Sequence, residues 1–167
     1  MTRVGLSKEL LEEMHAAGCR LLYFGCESGD DSTLRTVTKG ITTSQIESTV
    51  RLALRTGFEV ECSFVINLPY ETPEKARATI SFAKKLKGMG AQIQAHMLFP
   101  YPGTDVYENM QKYNLTVKQR GVALWKLMSH PIYLEDRPAN PILSNNLISE
   151  QELTKLWSEV SLVFDYY

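Results

Sequence analysis

Three segments of this chain repeat one grammar: a glycine, an apolar β-rich run, a polar loop, a helical run, and a glycine again. In the first, Gly18 precedes CRLLYFG (Cys19 to Gly25), and the loop ESGDDSTLRTVTKG follows. Thr42 or Thr43 then caps a helix reaching about Thr56, on which Ile46, Val50, Ala53 and Leu54 recur at helical spacing. The second segment opens at Gly57 with FEVECSFVI and passes through NLPYETP. It enters a helix from about Pro73 to Lys87 whose proline suits the first turn, whose basic end suits the macrodipole, and whose apolar stripe is Ala76, Ile80, Ala83 and Leu86. The third follows Gly88-Met-Gly90 with AQIQAHMLF, then PYPGT, then a helix from about Asp105 to Tyr113.

Strand starts at about 19, 58 and 91 leave room for a crossover helix between each pair, which predicts right-handed βαβ units and a parallel sheet. The near-continuous apolar runs LLYF and FVI predict strands covered on both faces. Upstream, LSKELLEEMHAAG reads as a helix capped by Ser7 with Leu10, Leu11 and Met14 inward. The predicted fold class is therefore α/β, and a helix feeding three strand-helix units is what a (β/α) TIM-type barrel leaves when cut after one of its strands. The segment from Leu115 to Asn146 is turn-rich, with one short element at VALWKLM. A clear helix follows: SEQELTKLWSEVSLVF carries the box Ser149-x-x-Glu152, with Leu153, Leu156, Trp157, Val160, Val163 and Phe164 on one face. The expected division is residues 1–114 as a partial barrel and 115–167 as a C-terminal helical extension.

Composition narrows the partners. The 167 residues hold one domain of ordinary size, and 44% hydrophobic with 22% charged residues excludes collagenous and disordered classes. A net charge of −1 leaves no basic field for nucleic acid or an anionic membrane. No apolar run approaches a bilayer span and no signal-like segment opens the chain, so a cytoplasmic protein is expected. Cys19, Cys26 and Cys62 fit neither a disulfide framework nor a zinc pattern, and reduced thiols are expected. The three histidines form no metal constellation, so no metal ligand and no catalytic residue is assigned.

In parallel α/β sheets, ligands bind beyond the carboxyl ends of the strands, which singles out the loops GCESG, NLPYET and PYPGT. Taken singly, each has an ordinary structural explanation: a turn, a helix capped by Thr72 with Glu71 near its positive end, and a rigid Pro-Gly turn. Taken jointly, AAGCRLLYFGCESGDDSTLRTVTKGIT, FVINLPYETPEKARATISFAKKL and FPYPGTDVYE resemble the C-terminal half of the barrel of radical S-adenosylmethionine (SAM) enzymes. The likeness is to the subgroup with an upstream cobalamin-binding domain, of the anaerobic magnesium-protoporphyrin ester cyclase type.

That resemblance implies a SAM cofactor and a four-iron four-sulfur (4Fe-4S) cluster that together generate a 5′-deoxyadenosyl radical, with cobalamin as a further cofactor. The cysteine motif that binds the cluster in the family is absent here, and the matched stretch corresponds to barrel strands four to six. On the family's pattern, Glu27 and its neighbour Ser28 face the ribose or methionine part of the cofactor, and Lys39 pairs with its carboxylate. Ser63 meets the ribose hydroxyls, and Phe99 brackets adenine. The loop holding Asn67 and Glu71 matches the family's Gly-Leu-Pro-Gly-Glu-Thr, with Asn67 and Tyr70 in place of the two glycines, which predicts lost φ freedom and a narrower mouth. Cys26 reads as a packed thiol. The implied function is a fragment of a radical SAM iron-sulfur oxidoreductase acting on a small molecule, inactive on its own and completed by the missing half of the barrel. Two other readings are a non-catalytic half-barrel interaction module, self-associating through the edge of CRLLYFG, and a complete small α/β domain that binds an ordinary metabolite.

Overall fold

A computed structural model of the chain describes residues 4–117 and 143–163. In order, these form α1 (Lys8–Ala16), β1 (Leu21–Glu27), α2 (Asp31–Thr36), α3 (Thr43–Thr56), β2 (Glu59–Ile66), α4 (Pro73–Gly88), β3 (Gln92–Met97), α5 (Asp105–Glu108), β4 (Leu115–Val117), β5 (Leu143–Asn145) and α6 (Glu150–Ser161). The first three strands make one parallel sheet in the order β1-β2-β3, as the spacing predicts. Each helix start is fixed by a side chain that accepts an orphan N–H: Ser7 for α1, Thr42 for α3 in a full capping box with Gln45, and Thr72 for α4 ahead of Pro73. Among the described residues no helix is long and apolar enough to cross a membrane.

The core lies on one side of the sheet. Leu22, Phe24, Val60, Cys62, Phe64 and Ile93 alternate along the strands and join the apolar stripes of α1, α3 and α4 in one cluster. Of the intervening positions, Tyr23, Glu61, Val65 and Gln94 are half-buried and His96 is exposed, while the small Gly25 and Ser63 are buried. The expectation of strands covered on both faces is thus corrected: LLYF and FVI look continuous because Tyr23 and Val65 interrupt an underlying alternation with apolar residues that face outward. Helix α6 buries Leu153, Leu156, Trp157 and Val160 in the same cluster, and Lys87 of α4 donates to the Val163 carbonyl at 2.8 Å.

Four local expectations are corrected. The stretch after β1 is not loop throughout: Asp30 caps the six-residue α2, whose Ser-Thr-rich sequence gives little helical signal. Strand β1 begins at Leu21, because the Arg20 guanidinium donates to the carbonyls of His15 and Cys19 and closes the α1–β1 turn first. Helix α5 stops at Glu108, where Asn109 Nδ2 donates to Asp105 at 2.7 Å and Tyr113 folds back onto the same carboxylate. Ser149 caps α6 through the Glu152 N–H, but the Glu152 carboxylate pairs with Arg77 of α4 instead of completing a box. The antiparallel β4–β5 pair has no counterpart in the sequence reading. The element expected at VALWKLM, and Phe164, lie outside the described residues.

Contact between the β1 exit and α4 is tight at Gly29. A Cβ there would stand 2.6 Å from Phe82 Cβ and 2.8 Å from the Ala78 carbonyl oxygen, so backbone would have to move. Gly29→Ala is expected to lower unfolding free energy by about 1–3 kcal/mol in urea titrations. A loss under about 0.5 kcal/mol, the range of an ordinary surface change, would show that the two segments separate easily.

Candidate functional site

The carboxyl ends of β1, β2 and β3 bring the candidate residues to one edge of the sheet. Strand β1 ends in a register shift between Gly25 and Glu27, and Glu27 adopts a left-handed φ of 63°. Such a conformation costs a non-glycine residue on the order of 1–2 kcal/mol, and it holds the side chain away from the ordinary strand alternation. Its Oε1 accepts from Lys39 Nζ at 2.7 Å, with the two side chains 19% and 31% exposed. Lys39 reaches it from the turn after α2, where Thr38 and Gly40 are also left-handed. The sequence placed both residues at the site without foreseeing that they pair with each other.

Ser28 is fully buried and tied to the fold: its Oγ lies 3.0 Å from Thr79 Oγ1 of α4 and accepts from the Asp30 N–H at 3.1 Å. Ser63 lies mid-strand in β2 opposite Gly25 and Gln94, and is 4% exposed. Phe99, beyond β3, is half-buried with its ring centroid 4.8 Å from that of Tyr101, which is 54% exposed.

The NLPYET loop keeps the backbone that glycines would give. Asn67 sits at φ 71° and Tyr70 at φ 58°, so the predicted loss of left-handed freedom is corrected. Asparagine tolerates this region, and Tyr70 is held in it by its hydroxyl on the Lys112 carbonyl and an edge contact with Tyr113. The reason lies underneath: the fully buried Glu71 carboxylate accepts the Asn67 N–H at 2.6 Å and the Leu68 N–H at 3.2 Å with the same oxygen. Asn145 of β5 donates to the carbonyls of Leu68 and Glu71, and Asn67 Nδ2 donates to the Leu143 carbonyl. Asn67 and Glu71 therefore brace the loop from inside. The Asn145 tie was invisible in sequence, since it joins residues more than seventy positions apart.

Cys26 and Cys62 are both fully buried, in the helix-facing core. The neighbouring Cys62 thiol and burial push the Cys26 thiol well above its usual range, which fits a packed thiol. Among the described residues no three His, Cys, Asp or Glu side chains are grouped to hold a metal.

A three-stranded parallel sheet with one helix-packed face, and polar side chains gathered where its strands end, defines the class as an α/β protein. Residues 1–83 match the sequence model of the Radical SAM superfamily, and this part of the chain belongs to that family. A stretch of 102 residues is 39% identical to an uncharacterized methyltransferase of Pyrococcus horikoshii, covering 61% of this chain and 22% of that protein. Another of 101 residues is 27% identical to an uncharacterized protein of Methanocaldococcus jannaschii, covering 59% of this chain and 20% of that protein. The chain thus spans about a fifth of the length of these curated relatives.

Among solved structures, the fold is similar to coproporphyrinogen III oxidase (HemN) from Escherichia coli, a radical SAM enzyme. The TM-score is 0.56 at 17% identity, over 74% of this chain and 29% of that one. It is also similar to TsrM, a radical SAM methyltransferase from Kitasatospora setae solved with cobalamin and a [4Fe-4S] cluster, with TM-score 0.54 at 23% identity over 70% of this chain and 23% of that one.

Burial pushes the Glu71 carboxyl up from 4.5 to about 7, against the two N–H donors that favour its charged form; Asp30 adds to the rise and Lys75 opposes it. A carboxyl raised on folding stabilises the protein below its unfolded value and loses that contribution as pH climbs through the folded value. Unfolding free energy is therefore expected to fall between about pH 4.5 and 7 by on the order of 3 kcal/mol more in the native chain than in Glu71→Gln. Urea titrations of both proteins at pH 5 and pH 8 measure this, and parallel losses in the two would contradict it.

Proposed function

We propose that this chain forms strands four to six of a radical SAM barrel and supplies part of the wall that holds SAM and substrate. The observation that carries this reading is the Glu27–Lys39 pair at 2.7 Å, at the carboxyl end of β1. SAM ends in an amino-acid zwitterion, and a half-buried carboxylate beside an ammonium is its charge complement: Glu27 faces the ammonium of the ligand and Lys39 its carboxylate. Ser63, on the adjacent strand, supplies a hydroxyl for the ribose, and the adjoining Phe99 and Tyr101 rings offer a surface for adenine. Ser28, Asn67 and Glu71 act through the backbone, by fixing the β1 exit on α4 and the left-handed loop after β2. When bound beside a cluster, SAM supplies radical chemistry; the residues described here orient it and screen it from water.

The described cysteines do not fit a cluster, since Cys26 and Cys62 are buried in the core and Cys19 belongs to no group of three possible ligands among the described residues, so no step is assigned to iron in this chain. The cluster, the remaining strands and any cobalamin come, in this reading, from polypeptide outside these residues. The β1 edge, unpaired among the described strands, accepts the rest of the barrel, and β3 the strand beyond. The similarity to a named methyltransferase supports a methyl- or radical-transfer reaction on a small molecule.

S-adenosylhomocysteine should bind the chain, and both Glu27→Gln and Lys39→Met should weaken it at least tenfold in calorimetric titration, the loss of one charge-assisted contact. Unchanged affinity in both variants would remove Glu27 and Lys39 from the cofactor site. Anaerobic incubation of the chain with iron, sulfide, reductant and SAM is expected to yield no 5′-deoxyadenosine, and stoichiometric product would refute the proposed division of labour.

A further inference from the structure

The loop after β2 covers two polar atoms that its folding leaves unpaired. Asn67 and Glu71 are both fully buried, and among the described residues Asn67 Oδ1 and Glu71 Oε1 have no hydrogen-bond partner. Buried polar atoms of this kind are rare and costly. The two residues are already in contact, since Glu71 Oε2 accepts the Asn67 N–H at 2.6 Å. Both orphans are acceptors. Asn67 Nδ2 donates to the Leu143 carbonyl at 3.2 Å, and turning the amide over would set Oδ1 against that carbonyl. An ionised Glu71 has no hydrogen to offer, so it would leave both oxygens unpaired and a charge buried. A neutral Glu71 answers both at once. A protonated carboxyl has one carbonyl oxygen, which accepts, and one hydroxyl, which donates. Oε2 already takes the Asn67 and Leu68 N–H groups as a carbonyl would, which leaves Oε1 as the hydroxyl and Asn67 Oδ1 as its acceptor.

We infer that Glu71 and Asn67 form a proton-operated latch: a proton on Glu71 Oε1, donated to Asn67 Oδ1, locks the loop and the β4–β5 pair tied to it, and loss of that proton releases them. The tie runs both ways, from Asn67 Nδ2 to Leu143 of β5 and from Asn145 of β5 to the carbonyls of Leu68 and Glu71 at 3.4 and 3.1 Å. The β4–β5 pair packs on its own cluster of Leu115, Val117 and Leu143, apart from the main core, so these amide bonds are its link to the loop. The charged groups that act on Glu71 are Asp30, the cap of α2, which favours the neutral form, and Lys75 in the first turn of α4, which opposes it. β2 ends in Phe64, Val65 and Ile66, and β5 is Leu143, Ser144 and Asn145, so neither adds a charge. The carboxyl, at 4.5 in water, is pushed up by burial to about 7 in the closed loop. Closure is therefore favoured in full below about pH 4.5, and the advantage is lost as pH climbs through 7. The latch holds whether or not the loop lines a cofactor site.

The test is an NMR titration of the chain labelled with carbon-13 and nitrogen-15. The Glu71 carboxyl carbon is expected to titrate with a midpoint near 7, and the Asn67 side-chain carbonyl carbon to follow with the same midpoint. A Glu71 midpoint in the ordinary glutamate range overturns the latch, and so does an Asn67 carbon that stays flat while Glu71 titrates, because another donor then serves Oδ1. Hydrogen exchange reads the release. Between pH 5 and pH 8, protection of the Asn67 and Leu68 amides and of the β4–β5 pairing is expected to fall at least tenfold in the native chain. In Glu71→Gln, whose side chain keeps the shape and carries a permanent donor beside the acceptor, protection should change by less than about twofold. Equal losses in the two proteins, or no loss in the native chain, overturn the inference.

Discussion

Among the described residues, the three-stranded sheet packs its helices on one face only, and much of the rest of the structure depends on that asymmetry. Parallel strands ordinarily sit between two layers, because crossover helices can cover both sides of a sheet. Here the crossovers α3 and α4 lie with α1 and α6 on the side of Phe24, Cys62 and Phe64, all within one apolar cluster. The proposed barrel reading requires the same one-sidedness, since in a barrel all helices lie outside the sheet. The half-buried Tyr23, Glu61 and Gln94 satisfy one another through hydrogen bonds, which is how a polar inner surface stays ordered without a hydrophobic partner.

At the strand ends the backbone is held in conformations that cost energy. Glu27, Thr38, Asn67 and Tyr70 all take positive φ, Glu27 as the last residue of β1 and Asn67 directly after β2. Strain of this kind persists only where surrounding contacts over-determine it. Those contacts are visible: the Lys39 ammonium on Glu27, the buried Glu71 carboxylate on two loop N–H groups, and Asn145 on the loop carbonyls. Glu71 is central because it is buried enough to resist ionisation while its hydrogen bonds favour the charged form. The loop's rigidity is thereby set against the cost of a buried charge.

Much of this was legible in the sequence for identifiable reasons. Caps at Ser7, Thr42, Thr72 and Ser149 follow local chemistry that a few residues determine, so the helix starts agree with the structure. The parallel order follows from connection length, and the choice of the loops after β1, β2 and β3 as candidate sites from the rule that ligands gather at strand termini. What escaped depends on contacts distant along the chain. The six-residue α2 exists because Asp30 caps it, and α5 ends early because Tyr113 folds back onto Asp105. The β4–β5 pairing and the Asn145 brace join segments that no local pattern connects. The one-sidedness of the sheet was in fact encoded, in the alternation Glu59-Val-Glu61-Cys-Ser63-Phe and Gln92-Ile-Gln94-Ala-His96, but apolar neighbours in LLYF and FVI masked it.

The cysteines carry the last step. A thiol serves iron only where iron can reach it, and Cys26 and Cys62 are both fully buried, with Cys26 made harder to ionise by burial and by its neighbour. Their positions belong to the helix-facing side of the sheet, while Ser63 and Glu61 belong to its opposite side. Adjacent residues on β1 and β2 therefore do unrelated work, because a strand turns successive side chains to opposite faces. The core cysteines are thus spent on packing, and the opposite face of the sheet carries the carboxylates, amides and hydroxyls.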